Sequence, residues 1–241
     1  MKKRRFLSLL LALALTVALV SPAFAATSRP GAFKNVIFMI GDGMGENHLL
    51  LAEAEGRDLY MTANADCRGQ SKTRSLSDKV TDSAAGATAL SCGVRTTNRY
   101  VGTYSIDPSG VIIRPKNVTE IAMAHGMKTG VVTTDSTAGA TPAGYSAHVK
   151  DRDMAAEITE QQLSSGIDLI WGATAGQTDR ESVEAAGLVY VETRTELEAL
   201  EPGKKSFAPS ARPAIVPPLP SAQTRCVNPP PCRAISCVQA T

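Results

Sequence analysis

Histidine is scarce in this chain of 241 residues: there are three, His48, His125 and His148, and none beyond Arg152. That excludes any site drawing imidazole ligands from the later part of the chain, where zinc would be left with sulfur or carboxylate donors. A strong charge of either sign is also missing, since 25 basic and 23 acidic residues leave a formal +2. Without Lys2-Lys3-Arg4-Arg5 the balance is about −2, which gives no footprint for nucleic acid or an anionic membrane. No apolar run is long enough to cross a bilayer. The longest, Phe6 to Val20, has about fifteen residues where roughly twenty are needed. It follows the basic cluster and precedes Ala23-Phe24-Ala25, so residues 1–25 read as a signal peptide cleaved before Ala26. The mature chain is expected to be exported, to the periplasm or outside the cell, with no transmembrane span. Internal repeats and long linkers are absent too.

Five cysteines in an exported chain allow disulfides but leave one over. Cys67–Cys92 is one pairing to test, while Cys226, Cys232 and Cys237 lack the spacing of a structural zinc site. Asn117-Val118-Thr119 matches the glycosylation acceptor pattern.

What the chain does contain is alternation. Strands are expected over 35–40, 129–134, 167–171 and 188–191, and helices over 46–55, 83–92, 117–125, 152–163 and 181–186, with a charged helix over 192–200. The pattern predicts an α/β fold, a mostly parallel sheet with helices on both faces, over residues 33–205. The run Asn35 to Ile40 reads as a buried parallel strand. Residues 206–241 differ in kind, with eight of the fourteen prolines, three cysteines and no acidic residue. They are expected to be disordered, or an aberrant replacement for a true carboxyl-terminal half.

Three strings carry chemistry. After the first strand, Gly41-Asp42-Gly43-Met44-Gly45-Glu46 puts a carboxylate at the strand's carboxyl end, where open α/β sheets bind ligands. It is not a dinucleotide fingerprint, because the third glycine would fall at Glu46. A carboxylate there suits a divalent cation, or simply a turn satisfied by its own backbone. The second string, Val80-Thr81-Asp82-Ser83-Ala84-Ala85-Gly86-Ala87-Thr88-Ala89, places a hydroxyl at a helix start. Asp82 or Thr81 can cap that helix, and the small residues allow close approach by a ligand. In the third, Ala140 to Arg152, Thr141 offers a hard oxygen and Arg152 a planar fork for two phosphate oxygens. Singly, each string has an ordinary structural explanation.

In this order and spacing, I-G-D-G-M-G at 40–45, V-T-D-S-A-A-G-A-T-A at 80–89 and A-T-P-A-x-x-x-A-H-V-x-x-R at 140–152 resemble the alkaline phosphatase family. The resemblance covers residues 33 to about 200, the amino-terminal part of such an enzyme. It implies a phosphomonoesterase with two zinc ions and one magnesium ion, acting on small phosphomonoesters. Ser83 resembles the nucleophile that becomes phosphorylated and Asp42 the carboxylate bridging one zinc and the magnesium. Thr141 resembles a magnesium ligand, Arg152 the phosphate clamp, and Asp82 the group that orients the clamp. Gly139 departs from the pattern, where family members often carry an acidic residue or histidine near the magnesium waters. His148 belongs to the third string in a supporting role. The resemblance leaves room for a homodimer. The family's later zinc ligands have no counterpart here, and the sheet strands that an absent half would supply are expected to be missing, exposing an apolar edge. A catalytically silent exported fragment, binding at most phosphate or a metal, is the alternative of another class. A sulfatase or phosphodiesterase relative is less favoured, because the Ser83 and Arg152 strings suit a small phosphoryl site.

Overall fold

The computed structural model describes residues 34–106, 110–173 and 177–209, and the backbone of 235–238. The expected signal peptide and nearly all of the tail lie outside these residues. Two compact units divide the chain, Met1–Ile37 with Pro230–Ala234, and Phe38–Pro229 with Ile235–Thr241. Apart from Ile37, every element belongs to the second unit. In chain order the elements are β1 (Ile37–Ile40), α1 (Glu46–Ala54), α2 (Tyr60–Asn64), α3 (Ser83–Cys92), β2 (Tyr104–Ser105), β3 (Ile112–Ile113), α4 (Val118–Ala124) and β4 (Gly130–Val132). Then come α5 (Ala140–Ala143), α6 (Ala155–Ser164), β5 (Leu169–Gly172), α7 (Arg180–Ala185), β6 (Val189–Tyr190), α8 (Arg194–Glu198), β7 (Ser206–Pro209) and β8 (Ile235–Val238).

The main sheet has four strands in the order β4-β5-β7-β6, and every pairing in it is parallel. This is the α/β alternation expected from the sequence. Helices α3, α4, α7 and α8 begin where a side chain satisfies a free N–H group of the first turn. Asp82 caps α3 by accepting from Ala85 N at 2.9 Å, and Asp179 caps α7 through Ser182 N at 2.9 Å. Asn117 and Glu120 form a reciprocal box at the start of α4, as Thr193 and Glu196 do for α8. Asn117 is buried, with its Oδ1 accepting the cap bond from Glu120 N, and burial puts its side chain out of a glycan's reach.

Four expectations change. The boundary at 205/206 is too early, because Ser206–Pro209 is a wholly buried strand between β5 and β6. Phe207 is completely buried there with Ile167, Ile170, Val183 and Leu188, and the Ser206 hydroxyl accepts from Trp171 Nε1 at 3.0 Å. β1 is not a buried strand of this sheet. It pairs with β8, and Ile37 and Met39 are 66% and 56% exposed, because few described residues cover its apolar faces; Phe38 meets Tyr145 with ring centroids 6.1 Å apart. The helix expected from 152 starts at Ala155, since Asp151 Oδ1 accepts from Asp153 N at 2.9 Å and turns the chain first. Finally, Cys67 and Cys92 are free thiols rather than a disulfide.

A second cluster joins residues of the second and third motif strings, Ala84, Ala140, Ala143, Ala147 and Val149, to Val101, Ala138 and Ile158. Its residues are small, so backbones approach closely. A Cβ on Gly144 would sit 2.7 Å from Ala87 Cβ, so glycine is required where α5 crosses α3. The small residues of the second string serve this contact between elements.

Burial of β7 generates a test. Phe207→Ala should cost about 3–5 kcal/mol by the usual penalty for a large buried aromatic, read from urea denaturation. A chain ended at Lys205 should lose its cooperative transition; an unchanged midpoint would show that β7 adds nothing to the sheet.

Candidate active site

The site is assembled from three loop-to-helix junctions. Asp42 follows β1 in the glycine turn, Ser83 opens α3, and Thr141 lies in the single turn of α5. Ser83 Oγ donates to Asp42 Oδ1 and Oδ2 at 2.9 and 3.1 Å. Thr141 Oγ1 donates to the same Oδ2 at 2.9 Å. One carboxylate thus gathers hydroxyls from segments 41 and 99 residues away.

Asp82 forms a second node. Its Oδ1 accepts the capping bond from Ala85 N, and its Oδ2 accepts from Arg99 N at 2.9 Å. The Arg152 Nη1 approaches the same Oδ2 at 3.4 Å, with the two side chains 32% and 21% exposed. Asn98 completes the loop, its Oδ1 accepting from Asp82 N at 3.1 Å and its Nδ2 donating to Val80 O at 3.2 Å. Arg152 therefore stands beside the residue that precedes Ser83. All five sequence-nominated residues, Asp42, Asp82, Ser83, Thr141 and Arg152, fall within this linked pair of nodes.

The histidines are committed to local structure. His48 Nδ1 accepts from Gly45 N at 3.2 Å at the start of α1, and His125 caps the end of α4. His148 Nδ1 lies 2.6 Å from Gly102 O, and its Nε2 lies 3.2 Å from Glu120 Oε2. Gly102, at φ +58°, has no room for a Cβ against Ala147 O and His148. His148 thereby fixes the strand-like run that leads into Arg152, where Val101 and Val149 bridge each other.

Sequence reasoning missed Arg99, Asp151 and Asp153. Arg99 donates Nε and Nη2 to the two oxygens of Asp151 at 2.9 and 2.8 Å, and Nη2 also reaches Asp153. The Arg99 hydrogen bonds, then the Asp153 N–H, hold the Asp151 carboxyl below its usual range, and the two carboxylates push Arg99 further up. The acidic pair flanking Arg152 was a visible signal. The partner was not, because nothing local links Arg99 to a position 52 residues on.

Three oxygen donors, one carboxylate and two hydroxyls, suit one hard cation of the magnesium type, which takes few protein ligands and keeps several waters. They do not suit a pair of zinc ions. Among the described residues no three or more His, Cys, Asp or Glu gather to hold a metal. Where Gly139 lacks a side chain, the Asp135 carboxylate occupies the space that a Cβ would need.

The fold and these nodes define an α/β chain with a hydroxyl, carboxylate and guanidinium centre at the ends of its elements. The family model for alkaline phosphatase matches residues 33–173, more than half of the chain, and the chain belongs to the alkaline phosphatase family. It is 35% identical over 237 residues to streptomycin-6-phosphate phosphatase of Streptomyces griseus, covering 79% of this chain and 51% of that protein. It is 32% identical over 212 residues to alkaline phosphatase of Escherichia coli K12, covering 69% of this chain and 43% of that one. Among solved structures, alkaline phosphatase from the Antarctic bacterium TAB5 superimposes with a TM-score of 0.61 at 31% identity, over 72% of this chain and 52% of that one. A variant of the TAB5 enzyme with Mg bound in its M3 site gives 0.60 at 27% identity, over 72% and 51%. The chain thus spans about half the length, or less, of the curated relatives it matches.

Two outcomes follow from the nodes. Asp82→Ala removes a cap and two further bonds, so it should cost about 2 kcal/mol, more than Asp179→Ala at the exposed cap of α7. Paired urea titrations decide, and equal costs would dissolve the second node. Asp151 titrates lower folded than unfolded. Its contribution is therefore present above the unfolded value near 3.9 and lost as pH falls through the folded one. Urea midpoints should drop as pH falls below about 4, and Asp151→Asn should remove part of that drop.

Proposed function

We propose that this chain carries the phosphoryl-accepting part of a phosphomonoesterase, with Ser83 as the nucleophile. The observation that carries the reading is the Ser83 hydroxyl donating to both oxygens of Asp42, which also receives Thr141. Family membership and relatives named as phosphatases support it.

A serine hydroxyl is a weak nucleophile until a base or cation favours its alkoxide. Here the Asp42 carboxylate sits where the Ser83 proton leaves. In the first half-reaction Ser83 Oγ bonds to phosphorus as the ester oxygen departs in line and takes up a proton as the alcohol. In the second, water attacks the phosphoserine, restoring the hydroxyl and releasing phosphate. Arg152 neutralises the equatorial oxygens and orients them, and Asp82 anchors Arg152. A magnesium-type ion held by Asp42 and Thr141 would stabilise negative charge building on the Ser83 oxygen. Asp135, lying against Gly139, keeps a carboxylate where the resemblance expects an acidic residue or histidine. No step is assigned to zinc, for which the described residues give no ligand set.

Small phosphomonoesters are the proposed substrates, and export is proposed from the amino-terminal segment. Among the described residues no helix is long and apolar enough to cross a membrane. The sparse metal donors favour the second reading, a silent chain that binds phosphate without turning it over. Mass spectrometry separates the two. After incubation with p-nitrophenyl phosphate and Mg²⁺ and an acid quench, a phosphoryl group on the Ser83 peptide supports the enzyme. Its absence in a folded chain supports the silent form. If turnover is seen, Ser83→Ala should reduce it by about 10³-fold or more.

A further inference from the structure

Arg99 combines two features that packing does not account for. It is the non-glycine residue with a positive φ, +77°, among the described residues, a conformation that side chains other than glycine rarely adopt. Its side chain is also 50% exposed, bound to carboxylates that are themselves 36% and 74% exposed. Exposed ion pairs add little to folding, so stability does not explain why the backbone is strained there. Outliers of this kind cluster at functional sites.

The geometry points to Arg99 as a positioning residue for Arg152. Its backbone N–H holds Asp82 Oδ2 at 2.9 Å, the oxygen that Arg152 Nη1 approaches. Its guanidinium holds both oxygens of Asp151 and reaches Asp153, the two neighbours of Arg152 in the chain. Arg99 thus clamps the anchor of Arg152 and the segment that carries it. Arg152 cannot fix itself: its contact with Asp82 is single and 3.4 Å long, and a long side chain has many rotamers to lose.

The clamp also settles a competition of charge. Asp151 and Asp153 lie closer in sequence to Arg152 than any other carboxylates do. With their oxygens bare, they would draw its guanidinium aside and repel an incoming phosphate dianion. Arg99 neutralises them and leaves the Arg152 fork for phosphate. This role rests on the reading of Arg152 as the phosphate clamp, and its test is built to separate the two.

The variants are Arg99→Gly and Arg99→Lys in the full chain. Glycine adopts φ near +77° without strain, so the backbone bond to Asp82 is kept while the guanidinium is lost. Lysine keeps the charge but cannot bridge two carboxylates with a fork. Three quantities are read: the melting temperature, the ¹⁵N NMR line of the Arg152 Nε–H, assigned by its loss in Arg152→Lys, and the calorimetric Kd for inorganic phosphate. The expected result is that Arg99→Gly melts at or above the parent temperature, loses the Arg152 line to solvent exchange, and binds phosphate about tenfold more weakly, the size of one charged hydrogen bond. Arg99→Lys should restore part of the binding. An unchanged Arg152 line in Arg99→Gly overturns the positioning role, whatever becomes of phosphate binding. A parent chain that binds no phosphate, with the line still lost in Arg99→Gly, upholds the positioning role and overturns the phosphate-clamp reading instead.

Discussion

The Asp42 carboxylate is the constraint on which the site depends. It must remain an acceptor for the Ser83 and Thr141 hydroxyls at 2.9–3.1 Å, and its partners reach it from two other parts of the chain. An ionised acceptor of this kind makes stronger hydrogen bonds than a neutral one. Ordering it needs the glycine turn after β1, a capped start to α3 and the close crossing of α3 by α5. Each of those follows from small or capping residues in the three strings. Replacing Gly144 with a larger residue would push Ala87 away and disturb the packing that sets Thr141 relative to Ser83.

The donor set fits one hard ion and not the pair of zinc ions that the resemblance implies. One carboxylate and two hydroxyls can share a hard ion with water, but they cannot build the nitrogen-rich or carboxylate-rich shells that zinc prefers. The chain spans about half the length, or less, of its curated relatives, and the strand that leads into Asp42 has exposed apolar side chains on both faces. These observations agree. β1 has the composition of a buried parallel strand, and the described part of the chain does not supply what would bury it.

Much of this was legible in the residues, for physical reasons that differ from place to place. Asp82-Ser83 announced itself because an N-cap chemistry and a small-residue helix are local properties, and α3 begins at Ser83 as expected. The parallel sheet was legible because apolar runs of strand length alternated with helical ones. β7 was not, since Ser206-Phe207-Ala208-Pro209 is too short to show a period and lies in a proline-rich context. Its place between β5 and β6 is a tertiary fact. The exposure of β1 escaped for the complementary reason, because composition records what a strand could bury and not whether its neighbours are present. The Arg99 clamp was invisible because arginine gives no signal for a left-handed backbone, and its partners lie 52 and 54 residues away.

The central claim is a shared pocket formed by Ser83, Asp42 and the Arg152 fork, and a crystal structure grown with inorganic phosphate and Mg²⁺ tests it most directly. The account predicts phosphate between the Ser83 hydroxyl and the Arg152 guanidinium, with the Asp42 carboxylate and Thr141 on the side of the cation. Phosphate bound elsewhere, with Ser83 and Asp42 turned apart, would contradict it.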